Sequence, residues 1–423
     1  MNTLLPKATE DALRFEEQRL PNGLVVRLLP MPNYGAVHAV YAAGFSSINR
    51  AFEHGGKSVV LPAGVAHFLE HKMFENDDGV DAFALYGQTG AVANAYTGFD
   101  RTSYIFTAAS HIERNLDILL SFVGHPHFTA QTVQKEQGII AQEIGMYEDN
   151  AEMRCFFTLL ECLYHNHPVR DDIAGTVASI AEITPEILYA CTDAFYNPGN
   201  MALCVAGNVS MDTLLEAVER AGLPAEKAPP TRRVFPEEPR HVAAERKTLA
   251  MPVAMPLFAL GFKELPVVGD TTQTEVVCDM LGELLCGETS TLYRRLYDEG
   301  LIQPGFACEF GCNQECLYFV VSGESNEPEK VRQAVFDEIL RQRREGIDRE
   351  QFEMCKRMMY GEAIADLESV ERVATQLCAS YFRRRTPAGE LAAVAALTPQ
   401  DVEEALAVMM KEETSAFVVV EPA

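Results

Sequence analysis

GVAHFLEHKMF, residues 64–74, is an apolar stretch that contains the pentapeptide H-x-x-E-H between His67 and His71. On a helix these histidines stand at i and i+4, so both imidazoles leave one face about one turn apart and can hold one metal ion. Glu70 shares that face and can take a proton from water without binding the metal itself. The pattern therefore predicts a hydrolytic metal site.

A third metal ligand is predicted on a separate helix, because a hydrolytic zinc site takes three protein ligands and leaves one position to water. Residues 132–147 have helical periodicity, with Glu136, Ile139, Ile140 and Glu143 at i, i+3, i+4 and i+7. Carboxylates on a packing face need a cation or hydrogen-bond partners, whereas a solvated face would carry charges without isoleucines. The stripe favours a metal site.

Together these motifs resemble the pitrilysin and insulysin superfamily of zinc metallopeptidases, the inverzincins, and within it the bacterial proteins of the mitochondrial-processing-peptidase branch. Glu143 lies 72 residues after His71, and Glu136 lies 7 residues before Glu143, which matches the family's spacing. The resemblance implies that His67, His71 and Glu143 bind Zn2+. It also implies that Glu70 is the general base and Glu136 a supporting catalytic carboxylate.

Further blocks match the same family in the same order. Leu20–Val26 resembles its opening strand, and residues 94–104 resemble its edge-strand motif beside the metal. Segments 167–176 and 195–201 resemble the end of its first domain. By resemblance, a substrate peptide adds as a strand to this edge, where the substrate-binding residues are Asn94, Ala95, Tyr96 and Thr97.

The chain reads as two copies of one α+β plan. Met146-Tyr147 of the first copy maps onto Met359-Tyr360 of the second by an offset of 213 residues. Two amphipathic helices are predicted in each copy, at 112–122 and from 132 in the first, and at 329–340 and through 358–362 in the second.

We predict an N-terminal zinc-binding peptidase domain at 1–222, a linker at 223–247 and a homologous C-terminal domain at 248–423. Prolines and charges in the linker suit an exposed connector. Each domain is expected to be an antiparallel-rich sheet with packed helices. The resemblance implies that the two domains form half of a clamshell peptidase around its substrate.

The second copy lacks the metal residues. The offset puts Arg349 and Lys356 where the first copy has Glu136 and Glu143, and the segment 281–286, where the pentapeptide would fall, has no histidine. We therefore predict no zinc site in the second domain.

The second domain also departs from the family in the stretch 290–306. Active members carry an arginine and a tyrosine seven residues apart that hold and polarise the substrate carbonyl. Here Tyr297 sits near the arginine position, and Gln303 or Pro304 near the tyrosine position. Arg294 or Arg295 could substitute, but the residue seven positions after Arg295 is Ile302, which has no hydroxyl. By resemblance, this chain is the zinc-bearing partner of a subunit that carries the pair.

Other metal-binding residue types receive a structural interpretation. Cys308, Cys312 and Cys316 stand at intervals of four without paired C-x-x-C spacing, so we predict strand-and-turn cysteines rather than a second metal site. Two histidine pairs are likewise predicted to lie in loops, namely His125 with His127 and His165 with His167.

Composition excludes several classes. The 423 residues, 48% of them hydrophobic, can bury sizeable cores. No segment approaches a membrane span, and the first residues lack both the apolar core of a signal peptide and the character of a mitochondrial transit peptide. The net charge of −26 disfavours nucleic acid and suits basic peptides better. The 11 cysteines suit reduced thiols in the cytoplasm.

The sequence as a whole predicts a cytoplasmic, zinc-dependent endopeptidase that hydrolyses short or unfolded peptides in an enclosed chamber. It is expected to form a homo- or heterodimer with a homologous subunit, without nucleic-acid or membrane partners. A non-catalytic peptide-binding or scaffolding subunit remains the alternative, because the arginine and tyrosine are missing. A thiol-dependent hydrolase is disfavoured, since no cysteine has an activating neighbour motif.

Overall fold

The computed structural model describes residues 5–7, 9, 13–75, 80–267, 269–313 and 315–423. The helices of these residues are α1 (Val65–Met73), α2 (Ala82–Thr89), α3 (Ile112–Gly124), α4 (Ala130–Glu148), α5 (Ala151–Leu163), α6 (Val177–Ile180), α7 (Pro185–Phe195), α8 (Met211–Arg220), α9 (Thr272–Cys286), α10 (Thr291–Asp298), α11 (Pro328–Glu345), α12 (Arg349–Ala365), α13 (Val370–Phe382), α14 (Pro387–Ala396) and α15 (Pro399–Val408). The strands are β1 (Glu16–Arg19), β2 (Val25–Pro30), β3 (Val37–Ala43), β4 (Ala51–His54), β5 (Lys57–Val60), β6 (Val92–Thr97), β7 (Thr102–Ala108), β8 (Met201–Gly207), β9 (Arg232–Arg233), β10 (Arg246–Met251), β11 (Leu257–Glu264), β12 (Ala307–Asn313), β13 (Cys316–Glu324) and β14 (Ser415–Pro422).

Two large sheets of the described residues share one plan. Their strand orders are β1-β2-β8-β3-β7-β6 and β10-β14-β11-β13-β12. The pairs β2–β8 and β10–β14 are parallel, and the other neighbours in both sheets are antiparallel. The predicted α+β fold with two similar, antiparallel-rich copies is confirmed.

The predicted helix pairs are also confirmed. In the first copy α3 and α4 follow each other, and in the second copy α11 and α12 do. Apolar residues of α3 and α4 pack on one face of the first sheet, together with those of α1. The equivalent face of the second sheet is covered by α9, α11 and α12.

The opposite face of each sheet is covered by a helix from the other half of the chain. Leu377 of α13 is fully buried in a cluster with Val40 of β3 and Cys204 of β8. Reciprocally, α5 packs its leucines on β11 and β14 of the second sheet. Gly261 of β11 permits this approach, because a Cβ there would lie 2.9 Å from a methyl carbon of Leu159. The two sheets are therefore interlocked.

The predicted linker is mostly exposed, but part of it is hydrogen-bonded to the rest of the chain. Residues 224–230 are mostly exposed, but β9 pairs with β4 in a small sheet. The carboxylate of Glu238 accepts backbone N–H bonds from residues 165–167 at 2.7–2.8 Å and a 2.5 Å bond from Lys263 Nζ. The segment is largely exposed, as the sequence suggests, and these hydrogen bonds also tie it to both halves.

The predicted opening strand Leu20–Val26 is corrected. Leu20 N donates to Leu24 O at 2.9 Å, and Gly23 has φ 98°. This is a turn between β1 and β2, since the Asn-Gly sequence favours positive φ. The strand itself begins at Val25.

The histidine and cysteine predictions are confirmed. Both histidine pairs lie in loops. Cys308 and Cys312 lie on β12, and Cys316 begins β13. All 11 cysteines are unpaired thiols. Over the described ranges, no helix combines the length and apolar character needed to cross a membrane.

We expect Leu377→Ala to destabilise the protein by about 2–5 kcal/mol, because the truncation leaves a cavity between α13 and the first sheet. Hydrogen exchange should increase in β3 and β8 of the first half, although the substitution lies in the second half. Leu340→Ala, at a position that is 51% exposed, is the control and should change stability by less than about 0.5 kcal/mol. Faster exchange confined to the second sheet would contradict the interlocked packing.

Candidate metal centre

The start of α1 is determined by Gly64, the residue before it. Gly64 has φ 85°, and a Cβ at this position would collide with the carbonyl oxygen of Ala174. Glycine is therefore required both by the left-handed backbone and by the close approach of the loop. Most of α1 is buried, including the side chains of His67 and Glu70.

The second wall of the site is α4. It begins at a capping box in which Thr129 and Thr132 exchange hydrogen bonds. The predicted stripe is present in part, since Ile140 and Glu136 are buried whereas Ile139 is 44% exposed. The side chain of Glu143 stays 25% exposed at the edge of this buried face. Helix α4 thus presents both carboxylates to α1.

Three side chains converge between α1 and α4. His67 Nε2 lies 3.7 Å from Glu143 Oε1, and His71 Nε2 lies 3.5 Å from Glu143 Oε2. One ligand atom from each of the three residues fits within 4.8 Å of the others. Tetrahedral zinc with nitrogen and oxygen ligands places donor atoms roughly 3.3 Å apart. The donor set and its spacing therefore fit zinc.

Several site residues are held by a neighbouring side chain. Glu136 Oε1 lies 3.1 Å from His71 Nδ1, an arrangement that directs the Nε2 lone pair of His71 toward the cluster. The hydroxyl of Tyr147 donates to Glu143 Oε1. The hydroxyl of Thr97 donates to Glu70 Oε2 at 2.6 Å.

His67 differs from these residues. Its Nδ1 is buried and has no hydrogen-bond partner among the described residues. Glu143 lies on the Nε2 side of its ring. The ring of His71 packs edge-on against it, with centroids 4.6 Å apart.

Burial and neighbouring polar groups together determine the ionisation of the site. Burial, with the adjacent His71, lowers the pKa of His67 to about 4, so this imidazole is neutral at pH 7 and its lone pair can bind metal. Burial would also lower the pKa of His71, but the hydrogen bond to Glu136 and the charge of Glu143 raise it overall. Burial raises the pKa of Glu70, although the Thr97 hydroxyl partly offsets the effect.

The edge strand beside the cluster is β6, as predicted. It is the last strand of the first sheet and pairs only with β7 among the described strands. Asn94 is exposed, and Ala95 and Tyr96 are partly exposed. The side chain of Thr97 instead faces Glu70, so the strand and the buried carboxylate are directly linked.

The second half carries no equivalent cluster, because no other group of at least three metal-binding side chains is found in the ranges that the structure describes. Lys356, at the position of Glu143, donates to Leu397 O at 2.7 Å. Tyr297 is 50% exposed on α10, with its ring stacked on Tyr293.

Two hydrogen bonds of the centre were not foreseen from the sequence. Tyr147 stands four residues after Glu143 on one helix, a spacing that brings side chains together, so the pattern could have revealed that bond. The bond between Thr97 and Glu70 depends on how the sheet edge lies against α1, and no local pattern signals it.

Comparisons with known proteins show which family the chain matches. The family description "Insulinase (Peptidase family M16)" matches residues 62–177, and "Peptidase M16 inactive domain" matches residues 182–359. The chain is 35% identical to the "Uncharacterized zinc protease YmfH" of Bacillus subtilis over 92% of each chain.

Solved structures are similar over nearly the whole chain. A crystal structure described as an M16-like peptidase, from Alicyclobacillus acidocaldarius, has a TM-score of 0.94 and 33% identity and covers 100% of both chains. The periplasmic protease PqqL of Escherichia coli has a TM-score of 0.75 and 18% identity. That alignment covers 97% of this chain but 48% of PqqL.

Proposed function

The chain belongs to the M16 peptidase family, and we propose that it is a zinc-dependent endopeptidase of the H-x-x-E-H type that hydrolyses short or unfolded peptides. The observation that carries the proposal is the convergence of His67, His71 and Glu143, with buried Glu70 on the same helix as the two histidines. The names of relatives such as the zinc protease YmfH support the choice of metal.

His67, His71 and Glu143 would hold the zinc ion. When bound, the ion would supply a positive charge that polarises a peptide carbonyl and acidifies water. Glu136 accepts the Nδ1–H of His71, which holds the ring in the tautomer whose Nε2 can act as a ligand.

Glu70 is the proposed general base. Thr97 occupies its Oε2, which leaves Oε1 to take a proton from the attacking water. The raised pKa of Glu70, caused by burial, makes the carboxylate a stronger base than an exposed glutamate. The same oxygen can then deliver the proton to the leaving amine.

The exposed backbone of β6 is the proposed substrate platform. An extended peptide that pairs with this edge would lie beside Glu70. Backbone pairing is independent of substrate sequence, which suits an enzyme for unfolded peptides. Asn94, Ala95, Tyr96 and Thr97 would then be the substrate-binding stretch.

We further propose that the working unit is a dimer. PqqL holds in one chain about twice the length that this chain covers, so an enclosed chamber built from this fold would need a second subunit. A homologous subunit that carries the missing arginine and tyrosine is the proposed partner. The 11 unpaired cysteines support a cytoplasmic location.

A scaffolding role is the second candidate. The stretch 290–306 lacks the arginine and tyrosine that stand seven residues apart in active members. Metal content separates the two candidates. A non-catalytic subunit does not need the complete set of zinc ligands together with a buried glutamate.

We expect the purified protein to bind about one equivalent of zinc, because the described residues contain one suitable cluster. The double variant His67→Ala/His71→Ala should lose it, as measured by elemental analysis. His125→Ala/His127→Ala, in the loop between α3 and α4 and outside the cluster, is the matched control and should keep it. Stoichiometric zinc in the first variant would contradict the proposed site.

Glu70→Gln should keep zinc and the fold but lose peptide hydrolysis by roughly a hundredfold or more, because the amide cannot accept the proton of water. Zinc content, melting temperature and the hydrolysis rate of an unfolded peptide are measured on one preparation. Hydrolysis within a few-fold of the parent protein would show that Glu70 is not the base.

The chain alone should hydrolyse peptides slowly, since loss of a preorganised donor to the carbonyl oxygen costs about a hundredfold to a thousandfold in rate. Addition of a homologous subunit with the arginine and tyrosine should restore the rate, with the complex visible by gel filtration. A fully active homodimer that is insensitive to this subunit and to alanine at Arg294, Arg295 and Tyr297 would refute the heterodimer.

A further inference from the structure

Tyr147 makes the closest side-chain contact that Glu143 has. It lies one helical turn after Glu143 on α4, and its hydroxyl donates to Glu143 Oε1. The ring is partly buried. It packs against the core cluster to which both α1 and α4 contribute.

This contact would limit the freedom of Glu143. A glutamate side chain that is 25% exposed has several rotamers, and ordering it on metal binding costs entropy. A hydrogen bond to Oε1 orders the carboxylate before metal arrives and leaves Oε2, 3.5 Å from His71 Nε2, directed at the cluster. The bond uses one lone pair and does not block the other oxygen.

The second half contains the same tyrosine without the same ligand. Tyr360 stands at the position of Tyr147, but Lys356 replaces the glutamate and its Nζ is bonded to Leu397 O. The hydroxyl of Tyr360 is buried with no hydrogen-bond partner among the described residues. The two halves thus have equivalent tyrosines, and of the two only Tyr147 has a carboxylate as its hydrogen-bond partner among the described residues.

We infer that Tyr147 is a positioning residue for the metal centre, which pre-orders Glu143 and thereby sets zinc affinity. The inference rests on the proposed zinc site. Tyr147 would orient Glu143 by a hydrogen bond, as Glu136 orients His71. Because His67 has no such partner in the described part of the chain, the two ligands with supporting groups, His71 and Glu143, would determine how tightly zinc is held.

The test compares Tyr147→Phe with Tyr360→Phe, which remove the same atom from equivalent positions. Zinc dissociation constants are measured by competition with a chelator of known affinity. Tyr147→Phe should weaken zinc binding by about 10- to 100-fold, the usual effect of removing a group that orients a ligand. Tyr360→Phe should leave the zinc affinity unchanged.

A second readout separates positioning from general stability. The melting temperature of the metal-free protein should be nearly the same in Tyr147→Phe and the parent protein, whereas zinc dissociation should be faster. Unchanged zinc affinity in Tyr147→Phe, or equal weakening in both variants, would overturn the inference. Retention of zinc by His67→Ala/His71→Ala would instead refute the proposed zinc site itself.

Discussion

The burial of both faces of two sheets is the constraint on which the structure depends. A sheet with apolar residues on both faces needs two covering layers, and each half of this chain supplies only one of its own. The other layer comes from the opposite half, through α5 on the second sheet and α13 on the first. The two halves therefore cannot separate without exposing apolar surface, and Glu238 adds hydrogen bonds to both of them.

This rigidity matters for the metal centre, because its groups come from several elements of the first half. The histidines lie on α1, the glutamates on α4, and the hydroxyl that bonds Glu70 lies on β6. All three pack on one core. Burial lowers the pKa of His67. The carboxylates of Glu136 and Glu143 raise the pKa of His71, so two histidines one turn apart on one helix have opposite pKa shifts. The charge states of the two histidines therefore depend on tertiary packing.

Local patterns predicted what depends on local spacing. The i, i+4 histidines, the carboxylate stripe on α4 and the repeated helix pairs are periodic features of single helices, and each lies where the sequence places it. The packing of α5 on the second sheet and of α13 on the first could not be predicted. The sequence pattern of an amphipathic helix does not depend on which sheet the helix covers. The hydrogen bonds of the linker could not be predicted either. Glu238 accepts them from backbone N–H groups of residues 165–167, and every residue except proline has such a group.

The duplicated halves show how one helix position can serve two purposes. On α4 the position holds Glu143, whose carboxylate lies beside two imidazoles and accepts a hydrogen bond from a tyrosine hydroxyl. On α12 it holds Lys356, whose ammonium group bonds the carbonyl of Leu397 at the C-terminal end of α14, where a cation is favoured by the helix dipole. Reversal of a single charge thus converts a ligand position into a helix cap. The backbone frame is kept in both halves, and among the described residues the cluster of two histidines and a glutamate lies in the first.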